Sequence, residues 1–271
     1  MLAGIDADQK AQRVSTAIVK KVRRMFSEKG LADFSAVSTE ILGMEATYGP
    51  HRKITGNREV IVKIAAAHKD KNALALFSRE IAQAATGMAP GLTGIVGGRP
   101  KVSPKISLYS FLIDKSRLKP YVVMNDLETT VDIDCENHFD TEYSPGIKGK
   151  PVIDEGFSVP LVKLAWARSG DKGNHSNIGV IARSPEFMPF IKAALTEATV
   201  ANYMSHTFDD ASQAQVKGWE LPGLNALNFL LLNSLGGGGM CSLRIDPQGK
   251  AFAQQLLDFP VPVSKAIFES V

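Results

Sequence analysis

The sequence has few of the residues and motifs that mark the commonest catalytic classes. It contains only two cysteines, Cys135 and Cys241, which lie far apart and lack the spacing of metal ligands. Free thiols in a reducing compartment are therefore predicted. No Gly-x-Ser-x-Gly, His-Glu-x-x-His or Cys-x-x-Cys motif is present. Classical hydrolase, zinc-protease and iron–sulfur classes thus have no support, and no metal or cofactor is expected on this chain.

Long apolar runs and a strong charge of one sign are also missing. No run approaches the ~20 apolar residues that cross a bilayer, and residues 1–10 are polar, unlike a signal peptide. The net charge is only +3, which argues against a dedicated nucleic-acid-binding protein with a clustered basic face. We expect a cytoplasmic protein that binds neither membranes nor nucleic acids.

The composition and periodicity that are present predict a globular α+β protein. Of 271 residues, 44% are hydrophobic and 22% are charged, which is enough for a packed core. Residues 1–125 show the order helix, strand, strand, helix, strand, strand, and residues 158–271 show strands and helices of a ferredoxin-like sandwich. The predicted fold is two small α/β layered units, the C-terminal one ferredoxin-like, joined by a linker at 126–157.

The periodicity also gives approximate bounds for each element. In the first unit we predict helices at 8–29 and 70–85 and strands at 35–42, 59–66, 106–113 and 120–124. In the second unit we predict strands at 159–167, 177–183 and 240–245 and helices at 185–204, 224–235 and 250–258.

The strongest candidate site is the polar segment between the first two strands of the C-terminal unit. It is longer than the roughly two to five residues that a hairpin loop needs, and its glycines can adopt positive φ, so that successive backbone N–H groups surround an anion. The predicted substrate-binding residues are Arg168, Ser169, Gly170, Gly173, Asn174 and Asn177. The predicted catalytic residues are Asp171, Lys172 and His175, with His175 as a general acid or base. The alternative is a solvated hairpin loop in which Asp171 caps a turn.

Two further segments of the C-terminal unit are candidates. The glycine run 236–239 permits close approach of the backbone to another group, and Gly237 and Gly238 are predicted to contact substrate; the alternative is a helix C-cap followed by a turn. Glu220 is a further predicted catalytic residue and Asn225 a predicted substrate-binding residue, with Asn228 on the same helical face. A buried structural network is the alternative for these three.

One candidate lies in the first unit, in the loop that follows its first strand. Glu45, Tyr48 and His51 occur close together there, and loops at strand ends often contain binding sites. Glu45 and Tyr48 are therefore predicted to bind substrate. The alternative is an ordinary surface loop.

Several runs in the C-terminal unit resemble the small domain of AtuA-like (acyclic terpene utilisation) proteins. They are LAWARSGDKGN (164–174), SNIGVIAR (176–183), WELP (219–222), LNALNF (224–229), and the glycine run before SLRID (242–246) with Gly249 and Lys250. Residues 8–125 are similar, less tightly, to the latter part of the family's larger domain. The resemblance implies a role in the breakdown of branched, acyclic acyl-CoA thioesters.

The chain departs from that family in length. Members are roughly twice as long, with a Rossmann-like region before the part that is similar here. The resemblance therefore implies either a split protein or a truncation, and we favour a split. A second chain would then supply the Rossmann-like half in a hetero-oligomer.

Two hypotheses about function follow. The first is a subunit of a split AtuA-like heteromeric enzyme, a hydratase or lyase whose substrate is an acyl-CoA thioester or a hydroxy acid. The segment at 169–177 would bind the thioester carbonyl or a carboxylate and stabilise an enolate. The second is a non-catalytic binding or assembly subunit that stabilises a catalytic partner chain.

Overall fold

The N-terminal part of the chain forms a three-stranded antiparallel sheet covered by helices. The structure is a computed structural model that describes residues 1–94, 98–133, 146 and 150–271. The elements of this part are β1 (Leu2–Ala3), α1 (Ala7–Glu28), β2 (Ala36–Leu42), β3 (Glu59–Ala67), α2 (Lys71–Ile81) and α3 (Ala84–Gly87). The strand order is β1-β3-β2. The two predicted strands and the first predicted helix are confirmed, and the second predicted helix is divided into α2 and α3.

Helix α1 packs on this sheet because its apolar residues recur every turn. Val14, Ile18 and Val22 are buried at four-residue steps on the face that contacts β3, as the 3.6-residue period requires. Phe26 continues the stripe and packs on Phe34, with ring centroids 4.8 Å apart. This arrangement gives the N-terminal part its own hydrophobic core.

Residues 98–133 leave this core and end in a hairpin of β4 (Tyr121–Met124) and β5 (Leu127–Thr130). The predicted strand at 120–124 is confirmed, whereas the predicted strand at 106–113 is wrong, because those residues pair with no strand in the described chain. β5 lies inside the predicted linker. Residues 134–145 and 147–149 of that linker, including Cys135, lie outside the described residues.

The C-terminal part contains a four-stranded antiparallel sheet in the order β7-β8-β10-β9 and a two-stranded sheet of β6 and β11. Its elements are β6 (Ser158–Pro160), α4 (Leu161–Leu164), β7 (Ala165–Lys172), β8 (His175–Ala182), α5 (Met188–Ala194), α6 (Glu197–Tyr203), β9 (Val216–Leu221), β10 (Ala226–Leu231), α7 (Phe252–Leu256), β11 (Pro260–Pro262) and α8 (Lys265–Ser270). The order of the main layers, ββα then ββα, is a cyclic shift of the βαββαβ order of ferredoxin-like sandwiches. The α+β fold class is confirmed.

In the part of the chain that the structure describes, helices cover one face of the four-stranded sheet. Helix α7 contacts β7 and β8, and α6 contacts β9. Ile178, Val180 and Phe229 point to this side and are buried in the C-terminal core. The opposite face carries partly or largely exposed side chains, among them Trp166 and Trp219.

Three predicted elements of the C-terminal part are wrong in type. The predicted helix at 224–235 is a turn followed by β10, because Leu227 and Leu231 fit a two-residue alternation through Phe229 as well as a helical step. The predicted strand at 240–245 forms turns. The predicted strand at 159–167 is β6, a single helical turn and the start of β7.

The two hydrophobic cores lie in separate stretches of chain, residues 2–92 and 157–271. The boundaries predicted at 125 and 158 remain a prediction. Among the described residues, every helix is too short or too polar to span a bilayer.

Candidate functional site

The segment at 169–177 is a pair of strands rather than a connecting loop, so that part of the prediction is wrong. β7 and β8 continue until Lys172 pairs with His175, which leaves only Gly173 and Asn174 in the turn. Gly173 has a φ of 67° at the first central position, as in a type II′ hairpin turn. Gly170 lies within β7 and has no positive φ. The predicted anion nest around the two glycines is therefore not formed.

The pairing register divides the predicted site residues between the two faces of the sheet. Successive strand residues point to opposite faces, and paired residues share a face. On the helix side lie Ser169, Asp171 and Ser176. On the exposed side lie Arg168, Gly170, Lys172, His175 and Asn177. Five of the predicted residues are thus brought to one surface.

Ser169 is a structural residue on the helix side. Its hydroxyl donates to the carbonyl of Gly249 at 2.6 Å and accepts from the backbone N–H of Ala253 at 2.9 Å. These bonds tie β7 to the start of α7. Ser169 is buried, so it cannot contact a substrate on the exposed side.

We call the exposed side of the four-stranded sheet the open face. Its strand residues are Trp166, Arg168, Gly170, Lys172, His175, Asn177, Gly179, Ile181, Lys217, Trp219, Leu221, Ala226, Asn228 and Leu230. None of these residues is acidic, and three are lysine or arginine. The guanidinium of Arg183 adds a fourth cation, 4.6 Å from the ring centre of Trp166. The electrostatic potential of this face is therefore expected to be positive.

An apolar groove crosses the open face. Its volume is 370 Å³, and Trp166, Ile181, Leu221 and Leu224 form its apolar lining. Gly179 lies between Arg168 and Asn228 in the paired strands and leaves the middle of the face without a side chain. Trp166 and Trp219 are 52% and 49% exposed, so both indoles present large apolar surfaces to solvent.

Asn228 and Asn177 supply the polar centre of this face. The side-chain amide of Asn177 donates to Oδ1 of Asn228 at 3.2 Å. Asn225 is not beside them, because it lies in the turn before β10 with a φ of 47°. Glu220 is on the helix side, where its carboxylate is 2.7 Å from Nζ of Lys192. The predicted cluster of Glu220, Asn225 and Asn228 is therefore not formed.

The tip of the β7–β8 hairpin is fixed against the glycine run. The side chain of Asn174 accepts from the N–H of Gly237 at 2.7 Å and donates to Asn233 at 3.1 Å. A Cβ on Gly238 would lie 2.6 Å from the carbonyl oxygen of Gly173. The two predicted segments thus contact each other, and the glycines are needed for backbone packing.

His175 has a defined tautomer at this junction. Its Nδ1 accepts from the N–H of Asn233 at 2.8 Å, so the neutral ring carries its proton on Nε2. Lys172 is the cross-strand neighbour of His175. Asp171 points to the other side, where Oδ1 is 3.8 Å from Nζ of Lys250. The neutral imidazole on the open face therefore keeps its Nε2–H as donor, beside the ammonium group of Lys172.

Glu45 and Tyr48 lie in the first unit and do not line the groove. Glu45 has a φ of 51°, and its carboxylate accepts from the N–H groups of Lys53 and Ile54 at 2.5 and 3.3 Å. It therefore closes its own loop. Ala46–His51 forms a short 3₁₀ helix that is interrupted by a kink at Gly49.

Sequence reasoning missed a cluster of rings where this 3₁₀ helix meets the C-terminal part. His51 stacks on Tyr203 with ring centroids 3.9 Å apart, and His206 lies 5.5 Å from His51. Nε2 of His206 is 2.8 Å from Oε1 of the buried Gln255. These residues are distant in sequence, and no motif joins them. Burial lowers the pKa of His206, and the bond to Gln255 opposes that shift in part.

Arg183, Lys217 and both tryptophans were also missed. The two-residue alternation of β9 could have placed Lys217 and Trp219 on one face of a sheet. However, the segment that pairs with β9 was predicted to be a helix at 224–235, so no neighbouring strand was expected. Among the described residues, no group of three or more His, Cys, Asp or Glu side chains could hold a metal ion.

Replacing Gly238 with alanine should destabilise the protein. The new Cβ meets the Gly173 carbonyl, and the φ of 84° is unfavourable for alanine. We expect a loss of about 2 kcal/mol in the free energy of unfolding, measured by urea denaturation. Gly223→Ala is the matched control, because Gly223 has ordinary φ and no atom within 4 Å of its added Cβ. Equal stability of the two variants would contradict the packing described.

The depressed pKa of His206 predicts a pH dependence of stability. The unfolded chain binds the proton on this imidazole more readily than the folded protein does. The contribution of His206 to the stability of the fold is therefore complete above the unfolded pKa of about 6.5 and decreases as the pH falls below it. When the pH is lowered from about 7.5 to about 5, the free energy of unfolding of the wild type should therefore fall more than that of His206→Gln. Identical pH profiles in chemical denaturation would refute this assignment.

Comparisons with known proteins give two family matches. Residues 1–124 match the acyclic terpene utilisation family protein AtuA, and residues 159–262 match the AtuA ferredoxin-like domain. No curated protein and no solved structure matched the chain. Together the two matches leave only residues 125–158 and 263–271 uncovered, and the second confirms the ferredoxin-like prediction. The chain therefore belongs to the AtuA family, with a ferredoxin-like domain in its C-terminal part.

Proposed function

We propose that this chain is a subunit of an AtuA-like enzyme and that it binds an acyl-CoA thioester on the open face. The observation that supports this most directly is the composition of that face. It combines an apolar groove and two exposed indoles with Arg168, Lys172 and Lys217, and none of the strand residues that point to this face is acidic.

Each part of a CoA thioester has a counterpart on this surface. The adenine base can stack on an indole, an interaction of roughly 1–3 kcal/mol per base. The phosphates can bind the guanidinium and ammonium groups. An acyl chain can occupy the groove beside Leu221 and Leu224. A purely apolar ligand would leave the cations unused, and a simple anion would leave the indoles unused.

The proposed reaction is a hydratase or lyase step that requires proton transfer. His175 is the best-placed acid or base, since its Nε2–H is defined by the bond from Asn233 and Lys172 lies beside it to stabilise negative charge. Asp171 and Glu220 point to the helix side and would assist only indirectly. A partner chain that supplies a Rossmann-like half, the hetero-oligomer and the cytoplasmic setting belong to the same proposal.

One observation favours the second candidate, a non-catalytic assembly subunit. Asn174, Asp171 and Glu220 all make contacts within the chain, to Gly237, Lys250 and Lys192 respectively. Such contacts are what a structural role requires. The open face would then anchor a partner, while catalysis takes place elsewhere.

Removing charge from the open face should weaken binding of acyl-CoA. The probe is octanoyl-CoA, measured by isothermal titration calorimetry with the full chain. Arg168→Gln combined with Lys217→Gln should raise Kd at least about tenfold, equivalent to ~1.4 kcal/mol. Trp219→Leu should also raise Kd, because a stacking surface is lost.

The matched control is Lys20→Gln with Lys29→Gln, two exposed lysines of which the first lies within α1 and the second is its C-cap. It removes equal charge away from the open face and should leave Kd unchanged. Absence of binding by the wild type, or an equal loss in the control, would rule out the open face as the CoA site.

The catalytic and assembly hypotheses separate in the complex purified with its partner chain. His175→Gln should lower turnover at least about a hundredfold, the usual scale for a proton-transfer group, with little change in the Kd for octanoyl-CoA. His68→Gln is the control, because His68 is another half-buried imidazole but lies in the N-terminal part. Full turnover in His175→Gln favours the assembly role.

A further inference from the structure

Residues 106–132 form a segment that we call the arm, and its large apolar side chains are exposed. The base of the arm is fixed: Sγ of Cys241 donates to the carbonyl of Ile106 at 2.8 Å. Beyond that point the large apolar residues are uncovered, among them Leu108, Tyr109, Phe111, Leu112, Met124 and Leu127. Leu112 is 102% exposed.

This arm is not stable in water by itself. An isolated two-stranded hairpin is marginal at best, and every residue of β4 and β5 is exposed on both faces of the hairpin. Monomeric proteins rarely leave an apolar patch of this extent uncovered. A partner surface must therefore bury the arm.

The charges of the arm indicate what that partner is. Lys115, Arg117 and Lys119 precede the hairpin, whereas Asp126, Glu128 and Asp132 lie at its turn and beyond. Asp114, the acidic neighbour of the basic set, caps the N–H of Ser116 at 2.8 Å. The ion pairs found in the described chain include none between the basic and acidic sets. Each arm thus presents one basic and one acidic region.

We propose that the arm packs against the arm of a second copy of this chain, in a symmetric dimer. A two-fold axis pairs unlike regions of identical surfaces, so the basic region of one arm meets the acidic region of the other. The length of the arm also suits this role, because a standard interface uses roughly 20–30 residues from each side. This proposal does not rest on the CoA site proposed for the open face.

The oligomeric state of the purified full chain tests this proposal. Size-exclusion chromatography with light scattering should give twice the chain mass of 29.2 kDa. Leu112→Asp should give a monomer that remains folded, because Leu112 is fully exposed in the single chain. Ile5→Asp is the matched control: Ile5 is 78% exposed but outside the arm, and this variant should stay dimeric.

Charge reversal separates a second copy from any other partner. One variant carries Lys115→Glu, Arg117→Glu and Lys119→Glu, and another carries Asp126→Lys, Glu128→Lys and Asp132→Lys. Each variant alone should be monomeric, because its arms repel each other, and an equal mixture should dimerise. The proposal is overturned if the wild type is monomeric, including the case in which it associates only with a different chain. It is also overturned if the Leu112→Asp variant stays dimeric or if the mixture of the two charge variants stays monomeric.

Discussion

The pairing register between β7 and β8 determines which side chains of the C-terminal sheet reach solvent. A slip of one residue would exchange the two faces, burying Arg168 and Lys172 and exposing Ser169. The two-residue turn at Gly173 prevents that slip, because Lys172 and His175 must then be cross-strand neighbours. The positive open face, its groove and the position of His175 all follow from this register.

Contacts from the rest of the domain keep the hairpin in that register. Asn174 is bonded to Gly237 and Asn233, and Ser169 is bonded to the chain that enters α7. The glycine run therefore packs directly against the hairpin tip and helps to fix its position. Among the described residues, α6 and α7 cover one face of the sheet, and the two indoles of the other face are exposed.

The parts predicted from sequence are those with a strong local signal. Helix α1 was predicted because its apolar residues recur every turn, and β2 and β3 because their patterns are regular. The predicted strand ended at residue 167, before the end of β7, because Ser169, Gly170 and Asp171 have no apolar side chain. Ser169 is nevertheless buried, and its hydroxyl bonds to residues about eighty positions later. β10 was mistaken for a helix because Leu227 and Leu231 satisfy both periods. The order of the motifs identified the family, which does not depend on assigning each element correctly.

Four polar residues of the open face were among the sequence candidates, but the shape of that face was not predicted. Arg168, Lys172, His175 and Asn177 belong to the open face, yet their common orientation depends on strand pairing with β10, which sequence reasoning had placed in a helix. Trp219 and Lys217 lie on β9, which pairs with the edge of β10 that does not pair with β8. Their position on the open face could be recognised only from this pairing. The cluster of His51, Tyr203 and His206 depends on contacts between distant parts of the chain.

Intrinsic fluorescence tests the role of the open face most directly, because the sequence contains two tryptophans and both lie on that face. Titration of the full chain with octanoyl-CoA should change the emission of both indoles with a single Kd, and Trp166→Phe and Trp219→Phe should each retain the signal of the remaining indole. Binding of octanoyl-CoA by calorimetry without any change in tryptophan emission would contradict the account.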